Sequence, residues 1–279
     1  MIELPETYVL AEQINQTLTG KTVLNPTVNA SPLKLAGYNG SPAWYHYHLA
    51  GKVVRSANPG TSYTCGGYIE VLLDDTLLIL STPTKYHAPG EKLPVKHQLW
   101  LEFEDLSSMT CTVQMWGVML CYPLNEINLP DWFNKRKSPT PLEDGFDQAY
   151  FEGLLSGAKK SLSAKAFLAT EQRIPGLGNG VLQDILWNAG IHPKRKLQTL
   201  TDYDLEKMYH SVKSTLYDMW TKGGRNTERD LFNHNGGYKT ILSAITFQNP
   251  CPVCGGRLIR EAYLGGNIYY CPICQPEKV

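Results

Sequence analysis

The chain has 279 residues, 42% hydrophobic and 19% charged, with 26 basic and 26 acidic residues that cancel. That length is enough for two domains with a sizeable core, and no apolar run is long enough to cross a bilayer, so a membrane partner is not expected. Zero net charge counts mildly against tight DNA binding and leaves a local basic face as the way to achieve it.

From the start, Met1-Ile-Glu-Leu-Pro-Glu6 has neither the basic region nor the apolar core of a signal peptide, so a reducing, cytoplasmic setting and a monomer are expected. Cys65, Cys111 and Cys121, odd in number and without pattern, read there as thiols filling the core. Pro5 and Glu6 open a helix that carries Leu10, Ile14 and Leu18 at helical spacing and stops at Gly20. Residues 22–122 read as strands. Tyr68–Leu73 and Thr76–Leu80 flank Asp74-Asp75 as a hairpin, and Leu99, Leu101 and Phe103 alternate with polar or amphipathic neighbours. Strands without intervening helices predict a β-sandwich. Lys137–Gly145 is rich in breakers and reads as a linker.

Helices follow. Phe151, Leu154, Leu155 and Ala158 mark one, and Val181, Leu182, Ile185, Leu186 and Ala189 mark a second, ended by Gly190. Thr201 and Asp204 cap a third, with Leu205, Met208, Tyr209, Val212, Leu216 and Trp220 on one face. The chain closes on Cys251-Pro-Val-Cys254 and Cys271-Pro-Ile-Cys274. A two-residue gap lets one tight turn offer two thiolates to one ion, and two such turns complete a closed S4 site for a structural zinc. Two disulfides or buried free thiols compete with that reading, and the spacing and reducing setting favour zinc. Arg257–Arg260 and Asn267–Tyr270, joined around Gly265-Gly266, read as a hairpin. The fold class is therefore α+β. It comprises a β-sandwich domain (1–136), a linker (137–145), a helical domain (146–245) and a four-cysteine zinc finger with a β-hairpin (246–279).

Three separated stretches share one likeness. Glu3-Leu-Pro-Glu6 opens the chain, Arg173-Ile-Pro-Gly-Leu-Gly-Asn179 runs on to Ile185–Pro193 in the middle, and the four-cysteine hairpin closes it. In these motifs, and in the order of its elements, the chain resembles the formamidopyrimidine-DNA glycosylase and endonuclease VIII family over nearly its full length. The resemblance implies a helix–two-turn–helix domain and base-excision repair. Such enzymes bend duplex DNA, flip out a damaged base, cleave its glycosidic bond and nick the strand. The nucleophile is the α-amine of an N-terminal proline, which forms a Schiff base at C1′. A neighbouring glutamate moves protons, and a sandwich lysine, an asparagine and a hairpin arginine grip the flanking phosphates.

Carried over by residue, the resemblance makes Glu3 the catalytic glutamate, Glu6 the second acid of the motif, Asn179 the phosphate-gripping asparagine and Lys165 a matching lysine. The loop before Asn179 meets a helix N-terminus, a ready phosphate site. Ile2 stands where the family has proline. Bulky Ile2 disfavours removal of Met1, which displaces the amine by roughly 3.5 Å. Gly67 and Gly266 stand where the sandwich lysine and hairpin arginine belong. Of the loop that fills the gap left by a flipped base, only the aromatic remains, as Trp116. The expected function is a damaged-DNA-binding member of the family with impaired glycosylase and AP-lyase chemistry. Whether it is an enzyme stays open: one alternative is an active glycosylase and lyase using another amine, Met1 or a lysine such as Lys52. A second is a zinc-stapled scaffold that binds a protein instead of DNA, which the neutral charge favours.

Overall fold

The protein is described by a computed structural model covering residues 2–62, 66–130, 133 and 138–277. Met1, Cys65 and Lys137, the first linker residue, lie outside the described residues. Helix α1 (Leu4–Thr17) has Pro5 in its first turn, where a missing N–H is harmless. Leu10, Ile14 and Leu18 project from it into the sandwich core, while Leu4 belongs to the core of the helical half. One short helix thus joins both halves.

The sandwich has two sheets. One orders β1 (Val23–Val28), β7 (Leu99–Phe103), β8 (Ser108–Cys111) and β6 (Thr84–His87). The other orders β2 (Ala36–Gly37), β9 (Gly117–Pro123), β5 (Thr76–Leu80), β4 (Gly66–Leu73) and β3 (Val54–Ser62). All pairings are antiparallel except β2 with β9. The hairpin read at Asp74-Asp75 is β4–β5, closing on Leu73 opposite Thr76. The alternating residues of β7 are buried at Leu99, Leu101 and Phe103. Cys111 and Cys121 are buried thiols. One expectation fails: helix α2 (Pro42–Leu49) interrupts the strands. Ser41 caps it, accepting from the Trp44 N–H at 3.3 Å. Its Trp, Tyr and His residues bury only Tyr45 and Leu49, so there is no apolar stripe for periodicity to reveal.

The helical half contains α3 (Gln148–Ser156), a π-helical turn (Ala166–Thr170), α4 (Asn179–Ala189) and α5 (Asp202–Thr221). Asp147 caps α3, Gly190 ends α4 in the left-handed region, and Thr201 with Asp204 forms a capping box on α5. Met208, Tyr209, Val212 and Leu216 of α5 are buried as their spacing requires. The breaker-rich stretch before α3 is docked: Thr140 is buried and its hydroxyl lies 2.9 Å from the Tyr8 hydroxyl. At the end, β10 (Ile259–Tyr263) and β11 (Gly266–Tyr270) pair around Leu264-Gly265, both of positive φ. β10 runs from Ile259 to Tyr263, where the sequence suggested 257–260.

Candidate nucleic-acid interface

A cleft of about 370 Å³ opens where four separated segments meet. Ile2 and Glu3 come from the chain start, Gly66 and Met115 from the sandwich, Lys165 and Asn179 from the helical half, and Leu264–Gly266 from the hairpin. Ile2 is held in place as a short strand, bridged to Gly67, and the Leu4 N–H donates to the Gly176 carbonyl at 2.9 Å. Gly178 and Gly180 are glycines because the incoming segment occupies their side-chain space. A Cβ on Gly178 would overlap Glu3, and one on Gly180 would overlap Arg225.

Glu3 is fixed by two backbone donors and one ion pair. Gly180 N–H donates to Oε1 at 2.9 Å and Val181 N–H to Oε2 at 2.8 Å, while Arg225 Nη1 stands 3.1 Å from Oε2. α4 has no side-chain cap of its own, so Glu3 caps it from a distant part of the chain. The phosphate site expected at this helix N-terminus is thereby corrected: a carboxylate already occupies the amides. Glu6 sits behind the cleft, buried, and takes a two-pronged bond from Arg225, Nε to Oε1 and Nη2 to Oε2, both 2.9 Å. Burial works against the charge of Arg225, but Glu3 and then Glu6 outweigh it and raise its pKa above the ordinary arginine value.

Asn179 begins α4 without capping it. Its Nδ2 donates to the Asn267 carbonyl at 2.9 Å, and its buried Oδ1 has no partner among the described residues. Gln183 reinforces this seam, donating to the Asn179 carbonyl at 2.8 Å and accepting from Tyr269 N–H at 2.9 Å. Lys165 is 2% exposed and donates to the Tyr263 carbonyl at 2.6 Å. Burial alone lowers its pKa. Gly266 faces both: a Cβ there would lie 3.5 Å from Asn179 Nδ2 and 3.6 Å from Lys165 Nζ, ordinary contact distances.

Several sequence expectations land elsewhere. Gly67 has no room for a lysine, because a Cβ would meet Thr7 Cγ2 at 2.6 Å and the Ile2 carbonyl at 3.0 Å. Trp116 does not line the cleft. It packs with Tyr68, Ile79 and Val118, while Met115, 77% exposed, projects at the cleft. Adjacent side chains in this short loop before β9 diverge, so a one-residue offset exchanges core for wedge. Lys52 is off the cleft and paired with Asp75 at 2.8 Å. In the basic run Lys194–Lys196, Lys194 pairs with Glu261 and buried Arg195 with Asp204 at 2.7 Å. Sequence reasoning missed Arg225, Met115, Gln183 and Asp184. Asp184 is a buried carboxyl, its pKa raised by burial, that accepts from Ile241 and Leu242 N–H at 2.9 and 2.8 Å. None of the four carries a spacing signal.

The four thiol sulfurs of Cys251, Cys254, Cys271 and Cys274 lie within 4.8 Å of one another. Two sulfur pairs stand 3.7 and 3.4 Å apart, against about 3.8 Å between ligands of a tetrahedral site with 2.3 Å metal–sulfur bonds. The group can hold one metal ion with no position left open. Gln275 seats it on the turn that follows α4, accepting from Cys271 N–H at 3.0 Å and donating to the Ile191 carbonyl at 2.9 Å.

Known proteins share this plan. Residues 138–229 match the family described as the formamidopyrimidine-DNA glycosylase H2TH domain. A formamidopyrimidine-DNA glycosylase of Oceanobacillus iheyensis is 26% identical across 100% of this chain and 99% of its own length. One from Prochlorococcus marinus is 32% identical over half of each chain. Among solved structures, the Lactococcus lactis enzyme in complex with DNA superposes with a TM-score of 0.78 at 23% identity, covering 98% of this chain and 99% of that one. The Thermus thermophilus protein gives 0.77 at 19%, covering 99% and 100%. The motifs at both ends of the chain, the matching helical domain and the full-length relatives agree: this chain matches the H2TH domain of the formamidopyrimidine-DNA glycosylases at residues 138–229 and is similar to those repair proteins over its whole length.

Proposed function

We propose that this protein binds duplex DNA at damaged or abasic positions, with the cleft over the flipped nucleotide, and that proline-type glycosylase and lyase chemistry is weakened in it. The observation that carries the reading is the convergence of Glu3, Lys165 and Asn179 on one cleft that has Ile2 in place of proline and Gly266 in place of arginine. A relative in Lactococcus lactis is seen with abasic-site DNA, which supports the choice of substrate. Asn179 and Lys165 hold the backbone, Glu3 is the cleft acid, and Met115 is the exposed apolar side chain at the mouth. One zinc ion bound by Cys251, Cys254, Cys271 and Cys274 holds the hairpin that supplies Gly266; its role is structural. Fluorescence anisotropy with a tetrahydrofuran-containing duplex and its undamaged counterpart tests the reading. About tenfold preference for the tetrahydrofuran site or more is expected, within the specificity ratios such interfaces reach. No binding to either duplex would favour the protein-binding scaffold instead.

A second reading has one observation in its favour. Lys165 is a buried amine at the cleft with a lowered pKa and no carboxylate partner among the described residues, the setting in which a lysine becomes nucleophilic. It takes the place of Lys52 in the reading of an active lyase with a non-proline amine. Borohydride trapping on abasic DNA followed by peptide mapping separates the two. An adduct on the peptide carrying Lys165 favours the second reading.

A further inference from the structure

Arg225 makes no appearance in the motifs that define the family likeness, yet it is an almost fully enclosed cation behind the cleft, 3% exposed. Its guanidinium spans two acids on one helix start: Nε and Nη2 go to Glu6, and Nη1 goes to Glu3. Its own N–H also donates to Glu6 Oε1, at 3.2 Å. Glu228 Oε1, 3.9 Å away, completes the charged surroundings. The contacts at Glu3 are unequal. Each carboxylate oxygen has about two acceptor sites. On Oε2, Val181 N–H takes one and the Arg225 guanidinium stands beside it as an ion pair at 3.1 Å, whereas Oε1 receives Gly180 N–H and has no cation paired with it among the described residues.

We propose that Arg225 is a positioning residue: it clamps Oε2 of Glu3 by charge and leaves Oε1 as the oxygen of that carboxylate with no cation beside it. The partner chemistry is that of a polar hydrogen on a nucleotide in the cleft or on an attacking amine, which Oε1 then receives. Arg225 touches neither. It acts through Glu3, and it joins the segment after α5 to the cleft, since a shift of Arg225 must move both acids together. This assignment rests on the DNA reading only for what Oε1 faces; the clamp itself is independent of it.

Amide hydrogen exchange by NMR on the full-length protein tests the clamp, because Gly180 and Val181 N–H are helix-start donors whose acceptor is Glu3. Arg225→Lys keeps a charge beside Glu6 but loses the fork. It is expected to speed exchange at Gly180 and Val181 by about tenfold while interior α5 amides such as Val212 and Leu216 change by less than about twofold. In a Glu3→Gln background the same change should add less than about twofold at those two amides, since both substitutions break one contact. Affinity for the tetrahydrofuran duplex should shift by less than about threefold, as expected of a group without a DNA contact. Arg225→Met strands the buried Glu6 charge, so Arg225→Met/Glu6→Gln is the second variant and should give the same two-amide signature. Unchanged exchange at Gly180 and Val181, or an equal rise at every amide, overturns the proposal. So does a loss of DNA affinity above about tenfold, which marks a direct phosphate contact. Failure of the wild-type protein to bind the duplex, with the two amides still responding, would sink the DNA reading and leave the clamp standing.

Discussion

Asn179 and Gly266 face each other across the seam between helix and hairpin, and they make opposite predictions. Asn179→Ala removes an amide bonded to the hairpin backbone at 2.9 Å, and is expected to weaken tetrahydrofuran-duplex binding by about 1–3 kcal/mol. A titration with equal affinities would remove this residue from the interface. A Cβ at Gly266 makes only ordinary contacts of 3.5 and 3.6 Å, so the backbone there accepts Gly266→Arg. That substitution should tighten binding and steepen the log–log salt dependence by about 0.9. Gly67→Lys, equivalent on paper, should instead destabilise by about 1–3 kcal/mol through overpacking against Thr7 and Ile2. Sequence alone could not separate these two glycines, because it gives positions along the chain and not the space around them. Glu3 and Asn179 stand out in the sequence because they sit in contiguous motifs, and Lys165 only through the family resemblance. Arg225 does not, since its partners lie 219 and 222 residues away along the chain.

Elements with a strong local signal were legible: the capping box on α5, Gly190 after α4, the β4–β5 turn and the two cysteine knuckles. α2 was not, because its aromatic and histidine residues present no stripe. The bounds of β10 slipped because its half-buried face places the charged Glu261 between Ile259 and Tyr263 while its exposed face includes Ala262, so no apolar alternation marks where the strand stops. The metal site belongs to this scale. Cys254→Ser or Cys271→Ser is expected to release one equivalent of zinc and disorder the last thirty or so residues, since metal binding in such a module is folding free energy. Metal analysis finding no zinc in well-folded native protein would contradict this.

At the scale of the molecule, two connections bind the halves. α1 gives Leu4 to the helical core and Leu10 and Ile14 to the sandwich. The segment after α5 returns the link: Arg225 engages Glu3 and Glu6, Asp230 accepts from Gln13 at 3.0 Å, and Leu231 is buried in the sandwich core. This crossing carries no spacing signal in the sequence. Leu231→Ala should cost about 2–5 kcal/mol, the range for emptying a buried leucine site, measured by urea denaturation. A loss below about 0.5 kcal/mol, the ordinary size for a surface change, would show that the segment does not tie the halves together.

The reading of weakened proline-type chemistry is tested most directly by borohydride trapping on abasic duplex DNA, comparing the wild-type protein with Ile2→Pro under the same conditions and checking both N-termini by intact mass. Schiff-base formation needs an amine within about 3–3.5 Å of C1′, and with Met1 retained the Ile2 nitrogen is an amide and supplies none at the proline position. Little or no adduct from the wild type, with a clear increase for Ile2→Pro, is the predicted result. Wild-type trapping as strong as that of Ile2→Pro would contradict it.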